Sequence, residues 1–245
     1  EMTDAEAMAA FDQAYEITAR ISYHVLITQL LMSAYNGILR GHLKRRGLDA
    51  DALDVTANAP ELASYDPAPH LARLREQLDA LDRFTRERLL EGGCETVREE
   101  IYNVEPRIAG FCRAFTAFMD RFGCLGDNTN DIASRRWREQ PDAALEMIAR
   151  FTRRAVAAKL TWDELPLSSL RRWALGPLYR RARAFRLYRE ALGYYYAYAS
   201  GLIRAAALSL GRRWAQRGWI AQAEDVFDLY RDEVRAVAAQ GQLNG

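Results

Sequence analysis

Two places in this chain bring charged and turn-forming side chains close enough together to bind an anion. The first is the run Gly123-Cys-Leu-Gly-Asp-Asn-Thr-Asn-Asp131, with Arg135, Arg136, Trp137 and Arg138 close behind. Gly, Asn and Asp favour tight turns, and the backbone N–H groups of such turns converge on anions. The spacing does not fit the phosphate loop that ends in Gly-Lys-Ser/Thr. A plain structured turn, with Asp131 capping the next segment, is the competing reading. The second place is a row on the long helical pattern near the end of the chain. At about 100° per residue, Arg183, Arg186, Glu190, Tyr194 and Arg204 share one sector, while Phe185, Leu192, Tyr196 and Ile203 point the other way. On a solvated face, Arg186 and Glu190 form an ordinary surface pair one turn apart. Facing inward, the row offers rigid guanidinium forks to a phosphate or carboxylate.

No reaction can be assembled from the other side chains. His24 lies in an apolar helical stretch and reads as a core histidine ahead of a base or ligand, while His42 and His70 fall near helix ends. Cys94, Cys112 and Cys124 are widely spaced, with no His or Cys at metal-ligand spacing, so no metal site is expected and reduced structural thiols are. His24 and Cys124 remain weak candidates for proton transfer. Phe111, Phe115, Phe118 and Phe122 recur at spacings of four, three and four, putting four rings on one helical face. Such a face is core or, as an alternative that makes Phe115 and Phe118 site residues, the lining of a large apolar ligand's cleft.

The elements that must position these groups are helical. Asp4 to Arg20 has helical periodicity, and Ile17, Ile21, Val25, Thr28, Met32, Tyr35 and Leu39 continue one stripe. Ile27, Leu30, Leu31 and Ile38 fall on the other side, which predicts a helix apolar nearly all round, in the middle of a bundle. Gly41, then Lys44, Arg45, Arg46 and Gly47, mark its end. Residues 48–69 read as a loop with a short helical piece. His70 to Leu90 reads as one amphipathic helix with Leu71, Leu74, Leu78, Leu81 and Phe84 inward, halted at Gly92-Gly93. Pro141-Asp142 opens another helix. Pro166 and Pro177 punctuate the residues after it, and a helix of up to roughly 40 residues runs from Leu178 to Arg217. Asp232 is placed to cap a last short helix through Val237. The fold class is therefore all-α, a multi-helix bundle with one long helix in the C-terminal half. The expected organisation is a single domain over 1–245: a first helical half over residues 1–122, a Gly/Asx loop over 123–140, and a second helical half over 141–245.

With 245 residues, 49% of them hydrophobic, the chain can bury a sizeable core. Ile21 to Leu39 is uncharged, but Ser22, His24, Gln29, Ser33 and Asn36 break it up, so it reads as a buried helix and no membrane contact is expected. No signal peptide pattern opens the sequence, and a cytoplasmic protein is expected. The net charge of +1 hides an uneven distribution, because residues 135–217 hold about 18 basic and 6 acidic side chains. That block can meet nucleic acid or pair inside the fold. Internal pairing with an anion pocket is favoured, because the aromatics there pattern as core and not as exposed stacking platforms.

The run Phe122-Gly-Cys-Leu-Gly-Asp-Asn-Thr-Asn-Asp-Ile-Ala-Ser-Arg-Arg-Trp-Arg138 resembles a segment of phosphoenolpyruvate synthase-like and pyruvate phosphate dikinase-like proteins, including rifampin phosphotransferases. There an aromatic-Gly-His leads through an Asp to Trp-Arg. Arg186-Leu-Tyr-Arg-Glu190, Gly211-Arg-Arg-Trp-Ala-Gln-Arg-Gly218 and Glu224-Asp-Val-Phe-Asp-Leu229 are similar to a later stretch of the same family. The resemblance implies a helical middle domain that holds the acceptor or links its neighbours, with ATP-grasp and phosphohistidine domains as partners in cis or trans. ATP and Mg would belong to the ATP-grasp domain, a small molecule would be the acceptor, and no cofactor would be held here. Neither domain's pattern occurs in these residues, so the chain alone is expected not to transfer phosphate. Asp131, Trp137, Arg189 and Glu190 match the family pattern, whereas Cys124 stands where relatives carry His, which removes a proton carrier from that position. The expected site comprises Asp131, Trp137, Arg138, Arg186, Arg189, Glu190, Tyr194, Phe115 and Phe118, with an apolar cleft floored by the Phe stripe. The alternative is a stand-alone helical interaction module whose basic long helix binds a protein or nucleic acid.

Overall fold

The computed structural model describes residues 3–100, 106–152 and 159–240. Arg153 and Arg154 of the basic block lie outside them. Seven α-helices come in order among the described residues: α1 (Asp4–Lys44), α2 (Ala68–Asp79), α3 (Arg83–Glu100), α4 (Pro106–Phe122), α5 (Pro141–Arg150), α6 (Ser169–Gln216) and α7 (Arg231–Gln240). Short 3-10 turns at Pro60–Ser64, Trp137–Glu139 and Ala223–Asp228 join them. The extended backbone is a single bridge between Leu53 and Leu160 among the described residues. The fold is all-α, with its longest helix in the C-terminal half.

The chain divides into two compact units. One comprises Glu1–Ile21, Phe115–Ala144 and Tyr195–Gly245, the other Ser22–Ala114 and Leu145–Tyr194, so α1, α4, α5 and α6 each contribute to both. In the first, Met8, Phe11 and Ala14 of α1 pack with Ile203, Ala207, Leu210 and Trp214 of α6, and with Val226, Val234 and Val237. Gly211 allows this closeness, since a Cβ there would lie 2.1 Å from the Ala223 carbonyl oxygen. Asp4 pairs with Arg213 at 2.9 Å and Arg217 at 2.6 Å, and Asp12 with Arg231 and Arg235, both at 2.8 Å. Some of the basic block is thus neutralised by the acidic start of the chain. In the second unit, Leu39 and Leu43 of α1 pack with Ala50, Leu53, Trp162, Leu165, Leu175 and Ala182. Trp162 stacks on Tyr179 with centroids 4.3 Å apart.

Several boundaries differ from expectation for local reasons. Thr28, Met32 and Leu39 of the expected stripe are buried, but α1 is not buried all round: Tyr23, Leu26, Leu30 and Ile38 are each more than half exposed. The segment at 70–90 is two helices, because Asp82 accepts the Thr85 N–H at 3.0 Å and starts a new one. That turn leaves Phe84 exposed and buries Thr85 in its place. The expected halt falls at Gly93, whose φ of 73° and ψ of 180° are not helical and divide α3 into two helical pieces; the left-handed φ suits glycine. Pro177 lies inside α6 and does not bound it. At α7, Glu233, not Asp232, accepts the first free N–H, that of Tyr230, at 2.7 Å. No helix among the described residues is long and apolar enough to cross a membrane.

Candidate functional site

The Gly/Asx loop is built around a buried arginine. After α4, Gly123 N–H donates to Met119 O at 2.8 Å. A Cβ at Gly123 would sit 2.3 Å from that oxygen. The loop closes at its neck, where Trp137 N–H donates to Leu125 O at 2.8 Å and Arg138 N–H to Gly123 O at 3.0 Å. Inside the loop, Arg136 is 1% exposed. Its guanidinium donates to the carbonyls of Asn128 at 3.1 Å, Asp131 at 3.2 Å and Thr129 at 3.4 Å, and to Ser200 Oγ on α6 at 3.0 Å. One planar fork thus serves several loop carbonyls at once. The Asp131 carboxylate accepts the Ala133 N–H at 2.9 Å, a turn-forming contact.

Arg204, also 1% exposed, performs the same task one turn along α6. It grips Glu139 through Nε at 2.7 Å and Nη2 at 2.8 Å, and its Nη1 donates to the carbonyls of Ala133 at 2.8 Å and Ile132 at 3.0 Å. Its guanidinium lies over the Phe227 ring, 5.0 Å from the centroid. Burial would raise the Glu139 pKa, but the hydrogen bond and charge of Arg204 outweigh it and hold the carboxyl below its usual range. For Arg136, burial and the neighbouring Arg204 charge both push the pKa down, against the pull of Glu139 and Asp131.

Loop and helix together enclose a cavity of about 160 Å³, lined by Cys124, Arg136, Arg138, Glu139, Tyr198, Gly201, Leu202, Ala205, Leu208 and Arg212. Burial pushes the Cys124 thiol up, against the opposing pull of Arg138 and Arg136, so the sulfur is a neutral wall group.

The expected site residues separate between the two units. Asp131, Trp137 and Arg138 lie in the loop, with Arg138 on the cavity wall. Trp137 stacks on Phe118 with centroids 6.0 Å apart. Phe115 and Phe118 are buried, as are Phe111 and Phe122, so the rings form core and not the floor of an open cleft. Arg186, Arg189, Glu190 and Tyr194 fall in the other unit. There Glu190 pairs with Arg186 at 3.3 Å and Arg189 at 3.0 Å, on side chains more than a third exposed. Tyr194 packs on Tyr65, with ring centroids 5.7 Å apart. Arg183 donates to the carbonyls of Val55, Ala57 and Asn58, the closest at 2.7 Å. His24 is exposed, its ring edge-on to Tyr23 at 5.8 Å, and is not the core histidine expected.

Sequence reasoning missed Glu139, Ser200 and Arg212, named Arg136 beside the loop without counting it in the expected site, and gave Arg204 no partner. The only signal was that Ser200 and Arg204 lie one turn apart on α6, opposite no identifiable strand or helix. It also missed an open groove of about 520 Å³ in the second unit, lined by Trp162, Trp173, Pro177, Arg172 and Arg180 among others. Three of the ten arginines of α6 are spent on backbone: Arg172 donates to the carbonyls of Trp162 and Leu165, as Arg183 and Arg204 do to theirs. This leaves them unable to serve a nucleic-acid backbone.

The family model described as rifampicin phosphotransferase fourth domain matches residues 23–190, more than half of the chain. The match takes in the whole loop and ends before the stretch of α6 that faces it. No curated protein matches the chain.

Proposed function

Given that the chain belongs to the rifampicin phosphotransferase fourth-domain family, we propose that it is the helical domain that holds the acceptor, and links its neighbours, in an ATP-dependent phosphotransferase. The observation that carries this reading is the cavity between the Gly/Asx loop and α6, where the run that resembles phosphoenolpyruvate synthase-like proteins meets Tyr198, Leu202 and Arg212 of the long helix. In this reading an ATP-grasp domain binds ATP and Mg, and a phosphohistidine domain carries the phosphoryl group. This chain binds and orients the acceptor, excludes water on one side of it, and transfers nothing alone. Positioning of this kind supplies a large share of the catalysis in phosphoryl transfer.

The acceptor class is that of the family's name, a rifampicin-type hydroxylated molecule. The cavity is below the range of about 300–1,000 Å³ typical for whole drug-sized ligands, so it receives one end of the acceptor. The test is calorimetric titration of the 245-residue chain with rifampicin, followed by incubation with ATP and Mg. Saturable binding without phosphorylated product supports the proposal. Absence of binding, or phosphorylation by the chain alone, refutes it.

A further inference from the structure

The cavity carries a charge imbalance that its own residues do not resolve. Arg136, Arg138 and Arg212 line it, with Glu139 as the one carboxylate among its lining residues. Glu139 is already gripped by Arg204 from two nitrogens. Arg136 is 1% exposed and its Nε has no hydrogen-bond partner among the described residues. That guanidinium forms part of the cavity wall, where its charge adds to the potential an entering anion meets. Arg138 and Arg212 are exposed, and neither forms an ion pair with a described residue. Ordinary surface arginines are solvated at little cost. Two of them at the mouth of a cavity whose inner wall is a third guanidinium raise the local potential for anions.

We infer that this cavity is a binding site for a phosphoryl-type dianion, inorganic phosphate or the phosphate end of an ester, held between Arg138 and Arg212 in the field of the buried Arg136 guanidinium. A dianion matches the charge better than a carboxylate, because three guanidiniums face it after Glu139 is cancelled by Arg204. The small volume suits a single tetrahedral group. The neutral thiol of Cys124 neither repels the anion nor competes for it. As the product end of the acceptor, the dianion rests on the function proposed above. As an anion site it stands on the geometry alone.

The experiment uses the 245-residue chain in phosphate-free buffer, with thermal unfolding read against inorganic phosphate and against sodium chloride or acetate of equal ionic strength. Phosphate is expected to raise Tm saturably where chloride and acetate do not. The double variant Arg138→Ala, Arg212→Ala changes exposed side chains only, and is expected to weaken phosphate binding about tenfold or more, as loss of charge-assisted hydrogen bonds does. Ala205→Glu places a carboxylate at the cavity wall. It is expected to raise Tm in the absence of phosphate and to abolish the phosphate effect. Equal shifts by phosphate, chloride and acetate, or an unchanged phosphate response in both variants, overturns the inference. Phosphate binding that persists while rifampicin fails to bind overturns the proposed acceptor role and leaves this site standing.

Discussion

Replacing Arg204 by Met keeps most of the side chain's volume and removes its charge and donors. In the folded chain, Arg204 is 1% exposed at the side chain and Glu139 is 30% exposed. Breaking a buried pair by removing one partner costs about 3–5 kcal/mol, mainly because the other charge is left uncompensated. Glu139 reaches water, so the lower end applies. The carbonyls of Ile132 and Ala133 lose donors too, but both residues are exposed and water replaces the contacts at little cost. The expected loss is about 3 kcal/mol, or roughly 6–12 °C in Tm for a chain of this size. Urea unfolding followed by tryptophan fluorescence measures it, since Trp137, Trp214 and Trp219 all lie in the affected unit. Arg204→Lys should recover only some of the loss, because one ammonium cannot reach the carboxylate and both carbonyls in their present geometry. A loss below about 1 kcal/mol for Arg204→Met, or full rescue by Lys, would refute the claim that a planar buried fork holds this loop on α6.

Two further outcomes are expected from the same contacts. Glu139 and Asp12 both have pKa values held below the usual carboxylate range; burial opposes the shift and their arginine partners overcome it. Their contribution is full at pH above the unfolded carboxylate range and is lost as pH falls through the folded values, so stability should drop below about pH 4, and Glu139→Gln should flatten that drop when ΔG is measured from about pH 7 to about pH 3. Gly211→Ala should cost about 1–3 kcal/mol, read as a lower urea midpoint with an unchanged slope, because its Cβ would lie 2.1 Å from the Ala223 carbonyl oxygen and backbone must move.

What the sequence made legible is set by the range of each interaction. Periodicity is local, so α1, the start of α5 and the inward leucines at 71, 74 and 78 could be read directly. The turn at 123–131 was visible because Gly and Asx residues carry turn geometry within a few positions. The partners of that turn were not visible, because Arg136 meets Ser200 across 64 positions and Arg204 meets Glu139 across 65. Charge alone could not tell Arg186, which pairs within its own helix, from Arg204, which is buried. Burial also misled where polarity is mild: the uncharged face of α1 is as apolar as a core helix, yet Leu26 and Leu30 are about two-thirds exposed or more. Phe84 failed for a different reason, since one Asp–Thr cap rotated the helix that carries it.

The arginines that hold loops through carbonyl oxygens have a consequence for how the chain responds to its medium. Their acceptors are neutral carbonyl dipoles and carry no net charge, so dissolved ions have little to screen there. The joints made by Asp12 with Arg231 and Arg235 are attractions between opposite charges near water, and these weaken over a Debye length of about 3 Å in molar salt. Concentrated salt should therefore loosen the terminal segments first, with amide exchange quickening in α7 and the first turns of α1, while the segment folded around Arg136 keeps its protection.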